Sequence, residues 1–218
     1  MASTDAVDYL VRCTNWISDI CGNQSAMSYI GLNNYCANTL LADADWRDGI
    51  IDSTYMESVL NAKVPTMTSN TTPSGEVSAS SLYSDRQYFY LFDGVYDPTH
   101  SLLFSNNSVG QWFKYMFVDA IKVSFIKFTW YNGLPSQSPI TFKVQGSNDD
   151  SEWSDLYEGS FESPYIGNND PRTQKYIFTN STNYKYYRVY FTKTVYIGGD
   201  ARQFIGFEDA QFYGRADI

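Results

Sequence analysis

Several stretches of the sequence place aromatic rings beside polar side chains, a combination that suits the recognition of sugars. An aromatic ring stacks on the C–H face of a sugar, while amide, imidazole and guanidinium groups bond its hydroxyls. Tyrosine and arginine are equally typical of protein interfaces. These stretches therefore predict either a sugar site or a protein-binding surface. The candidate ligand-binding residues are Tyr96, His100, Trp130, Tyr131, Tyr165, Asn168 and Arg202.

Residues that could catalyse a reaction are scarce. His100 is the only histidine, and apart from Asp97 no carboxylate stands near it in a recognisable motif. The adjacent acids Asp149 and Asp150 fall in a turn, where contact with solvent is their ordinary role. The sequence has no glycine-rich phosphate loop and no Cys/His zinc spacing. A glycosidase needs two facing carboxylates, and no pattern indicates them. We therefore expect no enzymatic activity.

The elements that must position these residues are short strands. Apolar and polar residues alternate over residues 140–145, the pattern of a half-buried strand, and a turn follows at residues 147–150. Similar runs, including Tyr88–Phe92, recur between turn signals as far as residue 213. Many short strands at this spacing predict a β-sandwich or barrel. Within it we expect Trp112 and Trp153 in the core.

Residues 5–60 repeat a pattern of about ten residues. Each unit opens with Asp, Asn, Ser or Thr, which cap helices, and continues with apolar residues three or four apart. The pattern predicts two-turn helices that are stable only when stacked, on one another or on another chain. An ordinary helical hairpin with coincidental spacing is the alternative. Pro65 disfavours helix at Val64. We expect a domain for attachment or oligomerisation over residues 1–63 and a second domain over residues 64–218.

Charge and composition exclude several kinds of partner. The net charge of −9 disfavours binding to nucleic acid phosphates or to anionic lipid, so we expect no nucleic acid and no membrane partner. No apolar run is long enough to span a bilayer, and residues 1–6 lack the features of a signal peptide. The three cysteines, Cys13, Cys21 and Cys36, are an odd number in such a chain and favour free thiols. We expect synthesis in a cytoplasm.

Six segments of the chain follow one another in a recognisable order: residues 67–70 with 75–81, 92–94, 111–115, 145–157, 184–190 and 209–214. They resemble, in the same order, segments of the discoidin domain, the coagulation factor 5/8 type C family. The resemblance implies a mainly β, galactose-binding-like fold: an eight-stranded antiparallel jelly-roll β-sandwich, here preceded by a small α-helical repeat region. It implies that loops at one end of the sandwich bind ligands, usually sugars, and it implies no catalysis.

The same resemblance implies a calcium site. Discoidin-like sugar binders hold Ca²⁺ between the loop after the first aromatic strand and the last strand, and the matching residues are Asp93, Asp97 and Asp209. Ca²⁺ prefers about six to eight oxygen ligands, including carboxylates and backbone carbonyls. The chain departs from the family at residues 103–104, where Trp is usual. The alternative is that Asp93 only caps its loop by accepting backbone N–H groups.

The helical repeats resemble short-helix repeats of bacteriophage structural proteins. Together the two resemblances imply a non-enzymatic virion structural protein, such as a tail or head fibre or decoration, made in the host cytoplasm. Its repeats would bind other virion proteins, and its jelly roll would adhere to host-surface glycans. We expect a homo-oligomer, for which trimeric virion fibres are the precedent. The alternative is an assembly module that binds neighbouring virion proteins without binding sugar.

Overall fold

The computed structural model describes residues 4–97, 99–104, 109–130, 139–161, 173–194 and 206–215. The chain forms two compact units, Met1–Ala62 with Gly214–Ile218, and Lys63–Tyr213. Across the described ranges, no helix combines the length and apolar character needed to cross a bilayer.

The first unit is a stack of short helices. Its buried core includes Met27, Leu40, Trp46 and Ile50, which belong to one cluster of buried apolar side chains. All three cysteines are free thiols, which confirms that prediction. The elements are α1 (Thr4–Val11), a 3₁₀ helix (Thr14–Trp16), α2 (Ile17–Cys21), α3 (Gln24–Leu32), α4 (Asn34–Ala42), α5 (Ala44–Asp52), a second 3₁₀ helix (Met56–Ser58) and β1 (Leu60–Ala62).

Side-chain caps start three successive helices at ten-residue intervals. The side chains of Asn23, Asn33 and Asp43 accept the backbone N–H of the residue three positions later at 3.0, 3.0 and 3.1 Å. Each cap satisfies one of the N–H groups that a helix leaves without an internal partner. The sequence pattern opens these three units at Ser25, Asn34 and Asp45, so each capping residue lies one or two positions before the predicted start.

The second unit is a sandwich of two antiparallel sheets, which confirms the predicted fold class. One sheet has the strand order β2-β4-β9-β6-β7. In the other sheet β10 pairs with β3 and with β5, and β5 pairs on its other side with β8. Eight of its strands have four residues or more. Their bounds are β2 (Glu76–Ala79), β3 (Leu102–Leu103), β4 (Trp112–Ile121), β5 (Phe125–Trp130), β6 (Pro139–Ser147), β7 (Ser154–Ser160), β8 (Thr173–Ile177), β9 (Tyr184–Thr194) and β10 (Gly206–Arg215).

Phenylalanine rings fill the space between the sheets. Phe113 and Phe142 from one sheet contact Phe128 from the other at centroid distances of 6.2 and 5.5 Å. Phe142 and Val144 are fully buried, as the alternation over residues 140–145 predicts. Tyr88–Phe92, which the sequence predicts as a strand, is a 3₁₀ helix instead. Its apolar residues Leu91 and Phe92 are nevertheless buried, so the apolar pattern reports burial there and not extended backbone.

Candidate functional site

Strand register brings the ends of β5, β7 and β9 and the starts of β6, β8 and β10 to one end of the sandwich. The last residues of β5 pair with the first residues of β8 and β10, at Thr129↔Thr173 and Trp130↔Phe207. In the other sheet the first residues of β6 pair with the last of β7 and β9. Ring contacts of Phe161 with Phe142 and Phe207 join the sheets at this end. We call it the loop end.

His100 is fixed at the loop end by two neighbours. Its Nδ1 donates to Oδ2 of Asp93 at 2.8 Å, and its ring lies 4.6 Å from the ring of Tyr90. The Asp93 side chain is only 5% exposed, whereas that of His100 is 41% exposed. Because Nδ1 is hydrogen-bonded to Asp93, Nε2 is the nitrogen through which the imidazole would hydrogen-bond to a ligand.

Tyr96 is held in a similar way by the third predicted acid. Its phenol donates a hydrogen bond to the carboxylate of Asp209 in β10. The residue is 54% exposed, so its ring is available to a ligand while its hydroxyl is anchored. Tyr96 and His100 therefore belong to one loop and rest on the buried carboxylates of Asp209 and Asp93.

Asp209 has an unusual electrostatic environment. Burial raises its pKa to about 7, and the nearby carboxylate of Asp93 adds to the rise, while Lys127 and the Tyr96 hydroxyl oppose it. The Asp93 carboxylate thus acts electrostatically on that of Asp209, the two acids between which the calcium prediction places the ion. A divalent cation between them would offset the cost of two neighbouring buried carboxylates.

Asp97 has a different local role. Its Oδ1 accepts hydrogen bonds from the backbone N–H and hydroxyl of Thr99 at 2.7 and 2.6 Å, and these bonds lower its pKa. Among the described residues, no three His, Cys, Asp or Glu side chains are arranged to hold a metal. Asp93, Asp97 and Asp209 are therefore not assembled into a three-carboxylate site within the described ranges, and calcium binding stays a prediction.

Asp93 also performs the alternative role considered from the sequence. Its Oδ1 accepts the backbone N–H of Val95 at 2.8 Å, so it caps its own loop with one oxygen while the other binds His100. Capping and metal binding compete for the same two oxygens. Any cation at Asp93 would have to share an oxygen with one of these donors.

The remaining predicted ligand residues fall largely outside the described ranges. Trp130 is the last residue of β5, which places its backbone at the loop end. Sequence reasoning missed Tyr90, because the aromatic run that contains it resembles a strand. Predictions for Tyr131, Tyr165, Asn168 and Arg202 lie outside the part of the chain that the structure describes.

The prediction that Trp112 and Trp153 lie in the core was wrong. Both side chains are partly exposed on the outer face of the five-stranded sheet. The Arg188 guanidinium lies 4.0 Å from the Trp153 ring, and Lys114 Nζ lies 5.2 Å from the Trp112 ring. Arg188 also donates to Oε1 of Gln145 at 2.7 Å. These cations cover the indole rings, so cation–π contacts stabilise the outer face of this sheet.

Comparison with known proteins agrees with the fold. No curated protein matches the chain in sequence. Three solved proteins of Clostridium perfringens are similar in structure: CpGH89CBM32-5 in complex with GalNAc-β-1,3-galactose, the family 32 CBM of NanJ in complex with galactose, and CBM32-3 of a family 31 glycoside hydrolase. TM-scores are 0.51, 0.50 and 0.51, and identities are 12%, 15% and 17%. The matches cover 64%, 64% and 63% of this chain and 95%, 93% and 88% of the solved chains.

The sequence itself supplies the family assignment. The F5/8 type C domain model matches residues 76–202, more than half of the 218 residues, and the match runs from the first strand of the sandwich to the segment before its last. The resemblance drawn from the six segments is thereby confirmed. The chain belongs to the F5/8 type C domain family.

Proposed function

We propose that this chain is a non-enzymatic structural protein whose sandwich binds carbohydrate at the loop end. The observation that carries the proposal is the exposed pair Tyr96 and His100, each fixed from behind by a buried carboxylate. Side chains already held in place lose little conformational freedom when a ligand binds. A sugar would stack on the Tyr96 ring and share a hydrogen bond with the imidazole.

The solved relatives suggest which sugars to test first. One is in complex with galactose and another with GalNAc-β-1,3-galactose. We therefore propose galactose and N-acetylgalactosamine as the leading candidates among host-surface glycans.

A glycan array tests the sugar-binding proposal. We expect the intact chain to bind a subset of glycans, and Tyr96→Ala and His100→Ala each to weaken binding at least about tenfold, which corresponds to about 1.4 kcal/mol. Val118→Ala is the matched control, because Val118 is exposed in β4 beyond the core positions and away from the loop end. Arrays with and without a chelator separate a calcium-dependent site from a calcium-independent one.

Two results would contradict the proposal. If the chain binds no glycan, the proposed carbohydrate function is wrong. If wild type and both variants bind equally, the proposed location of the site at Tyr96 and His100 is wrong. The non-enzymatic part has its own measurement. The bound glycan is incubated with the protein and its mass is followed, and any cleavage product would show that the chain is an enzyme.

We propose further that the chain is part of a virion, as a tail or head fibre or decoration protein of a bacteriophage. The support is the resemblance of the short-helix units to those of phage structural proteins. In this proposal the helical unit attaches the chain to other virion proteins, and the chain forms a homo-oligomer. Antibodies raised against the chain should label purified particles, and native mass spectrometry should show more than one copy.

The structure also favours a second candidate function, an assembly module that binds virion proteins and no sugar. Five of the ten most exposed large apolar side chains of the described residues lie in the helical unit, namely Tyr9, Trp16, Tyr29, Leu32 and Tyr35. Exposed apolar groups of this kind mark protein-binding surfaces. Cross-linking of intact particles followed by mass spectrometry separates the candidates, because an assembly module would be cross-linked through both of its units.

A further inference from the structure

The helical unit contains an apolar groove. Its volume is about 300 Å³, and its floor is formed by the buried side chains of Val7, Ile30 and Cys36. These residues come from α1, α3 and α4, so the groove lies between three of the stacked helices. A cavity of this size has room for one or two large apolar side chains.

Aromatic rings form the walls of the groove and stand open to solvent. Tyr9, Trp16 and Tyr29 line it and are 61%, 44% and 49% exposed. The rings of Tyr9 and Trp16 meet edge to face at a centroid distance of 6.3 Å. Rings that are exposed and already ordered by their neighbours are the kind of residue that dominates binding energy at protein interfaces.

Charge around the groove restricts what can occupy it. Three acidic residues are next in the chain to residues that line the groove: Asp5 precedes Ala6, Asp8 lies between Val7 and Tyr9, and Asp19 precedes Ile20. The one basic residue of this stretch, Arg12, follows the end of α1. Acidic groups on these neighbouring residues, which we call the acidic rim, repel anionic lipid and nucleic acid. They also oppose a second copy of this chain, whose net charge is −9.

We propose that this groove binds a segment of a partner protein that presents a large apolar anchor residue flanked by lysine or arginine. The anchor enters the groove between Tyr9, Trp16 and Tyr29, and the flanking cations face the acidic rim. The proposal deepens the attachment role of the helical unit and rests on it. It does not depend on the sugar site, because every residue that it uses lies before Ala62.

Selection from a random peptide library on the immobilised full chain tests the proposal. We expect the selected peptides to share a Trp, Phe or Leu anchor with adjacent Lys or Arg. Synthetic copies of them are then measured by fluorescence anisotropy, and binding should weaken as salt is added. Ala26→Trp, which fills the groove from α3, and Tyr29→Ser, which removes a wall, should each weaken binding at least about tenfold.

Two double charge-reversal variants distinguish the effect of the acidic rim on peptide binding from the effect of the net charge of the helical unit. Asp5→Lys with Asp19→Lys should weaken the basic peptides several-fold. Asp45→Lys with Asp48→Lys changes the net charge equally on α5, which does not line the groove, and should have a much smaller effect. Circular dichroism confirms that each variant is folded before its binding is interpreted.

Each contrary outcome overturns the inference. Selection of no peptide, a consensus without basic residues, or equal binding to folded Ala26→Trp and Tyr29→Ser variants would show that the groove is not this docking site. Glycan binding by the same variants is recorded in parallel. If glycans bind and peptides do not, the groove inference fails while the carbohydrate function stands.

Discussion

At the scale of single residues, Asp149 organises the turn between β6 and β7. Its Oδ1 accepts the backbone N–H groups of Ser151 and Glu152, each at 2.9 Å, and the hydroxyl of Ser147 at 3.0 Å. These bonds favour the ionised carboxylate and lower its pKa to about 2. The turn therefore depends on a charge that acid removes.

Asp149 gives the fold a defined sensitivity to acid. Because its folded pKa lies below the usual value of 3.8, its stabilising effect is present above about pH 4 and is lost as the pH falls towards 2. We expect wild type to be more stable than Asp149→Ala at pH 5 and the difference to shrink by pH 2.5. Urea unfolding across this range measures it. Asp119→Ala, an exposed acid in β4, is the control and should show no such convergence.

Asp209 allows a direct test of the calcium prediction. If Ca²⁺ lies between Asp93 and Asp209, adding it should raise the melting temperature of wild type, and a chelator should reverse the rise. The proton competes with the metal, so the rise should grow as the pH increases through about 7. Asp209→Asn should not respond. An equal rise in the variant would place any calcium elsewhere.

Residue types predicted chemistry at the loop end better than they predicted burial. Asp93, Tyr96, His100 and Asp209 could be named from the sequence, and the structure brings them together in pairs. Trp153 could not be placed, because an indole packs equally well in a core or beneath a guanidinium. Its position follows from Arg188 in β9, across β6 in the same sheet, a long-range contact that local patterns do not contain.

At the scale of elements, one tyrosine hydroxyl joins three parts of the sandwich. Oη of Tyr187 in β9 accepts the N–H of Val123 at 3.1 Å and the amide of Asn180 at 2.9 Å, and donates to the carbonyl of Ile121 at 2.8 Å. The ring is fully buried, and burial raises the pKa of the phenol to about 12. The hydroxyl thus fixes the bend between β4 and β5.

Tyr187→Phe should destabilise the sandwich by about 1–3 kcal/mol, because it leaves the buried N–H of Val123 and carbonyl of Ile121 without the hydroxyl. Chemical denaturation monitored by the unfolding of the sheets measures the change. Tyr186→Phe is the matched control: Tyr186 lies on the outer face of the same strand, and its ring contact with Lys114 survives the substitution. Equal effects of the two substitutions would refute the role given to the Tyr187 hydroxyl.

Element boundaries were harder to predict than element types. The ten-residue period of the helical unit is visible in the sequence, yet the residues that cap its helices are Asn23, Asn33 and Asp43. Polar residues occur on both sides of each helix start, so the period alone does not choose among them. Only the backbone direction that enters each helix, set by packing, decides which side chain reaches the free N–H groups.

At the scale of the whole molecule, the first unit uses residues from both ends of the described chain. The Arg215 guanidinium donates to the carbonyl oxygens of Val59 and Gly31 at 3.1 and 3.3 Å and to Oδ1 of Asn34 at 2.7 Å. It therefore satisfies a carbonyl near the end of α3 and the side chain that opens α4.

Arg215→Met should weaken the helical unit by at least about 2 kcal/mol, since it removes charge-assisted hydrogen bonds from partly buried acceptors. Hydrogen exchange should show faster exchange in residues 24–42 and little change in β4 and β9. Lys122→Met, which removes an exposed charge from the sandwich, should change neither region. A uniform loss of protection across both units would contradict this assignment.

The dependence on Arg215 has a consequence for synthesis on the ribosome. The helices leave the exit tunnel before the sandwich does, but the guanidinium that bonds Val59 is translated 156 residues after Val59. The nascent helical unit must wait for that residue before its last hydrogen bonds can form. A product that terminates before Arg215 would therefore have a helical unit without these hydrogen bonds. Only chains translated through Arg215 would form the fully bonded unit.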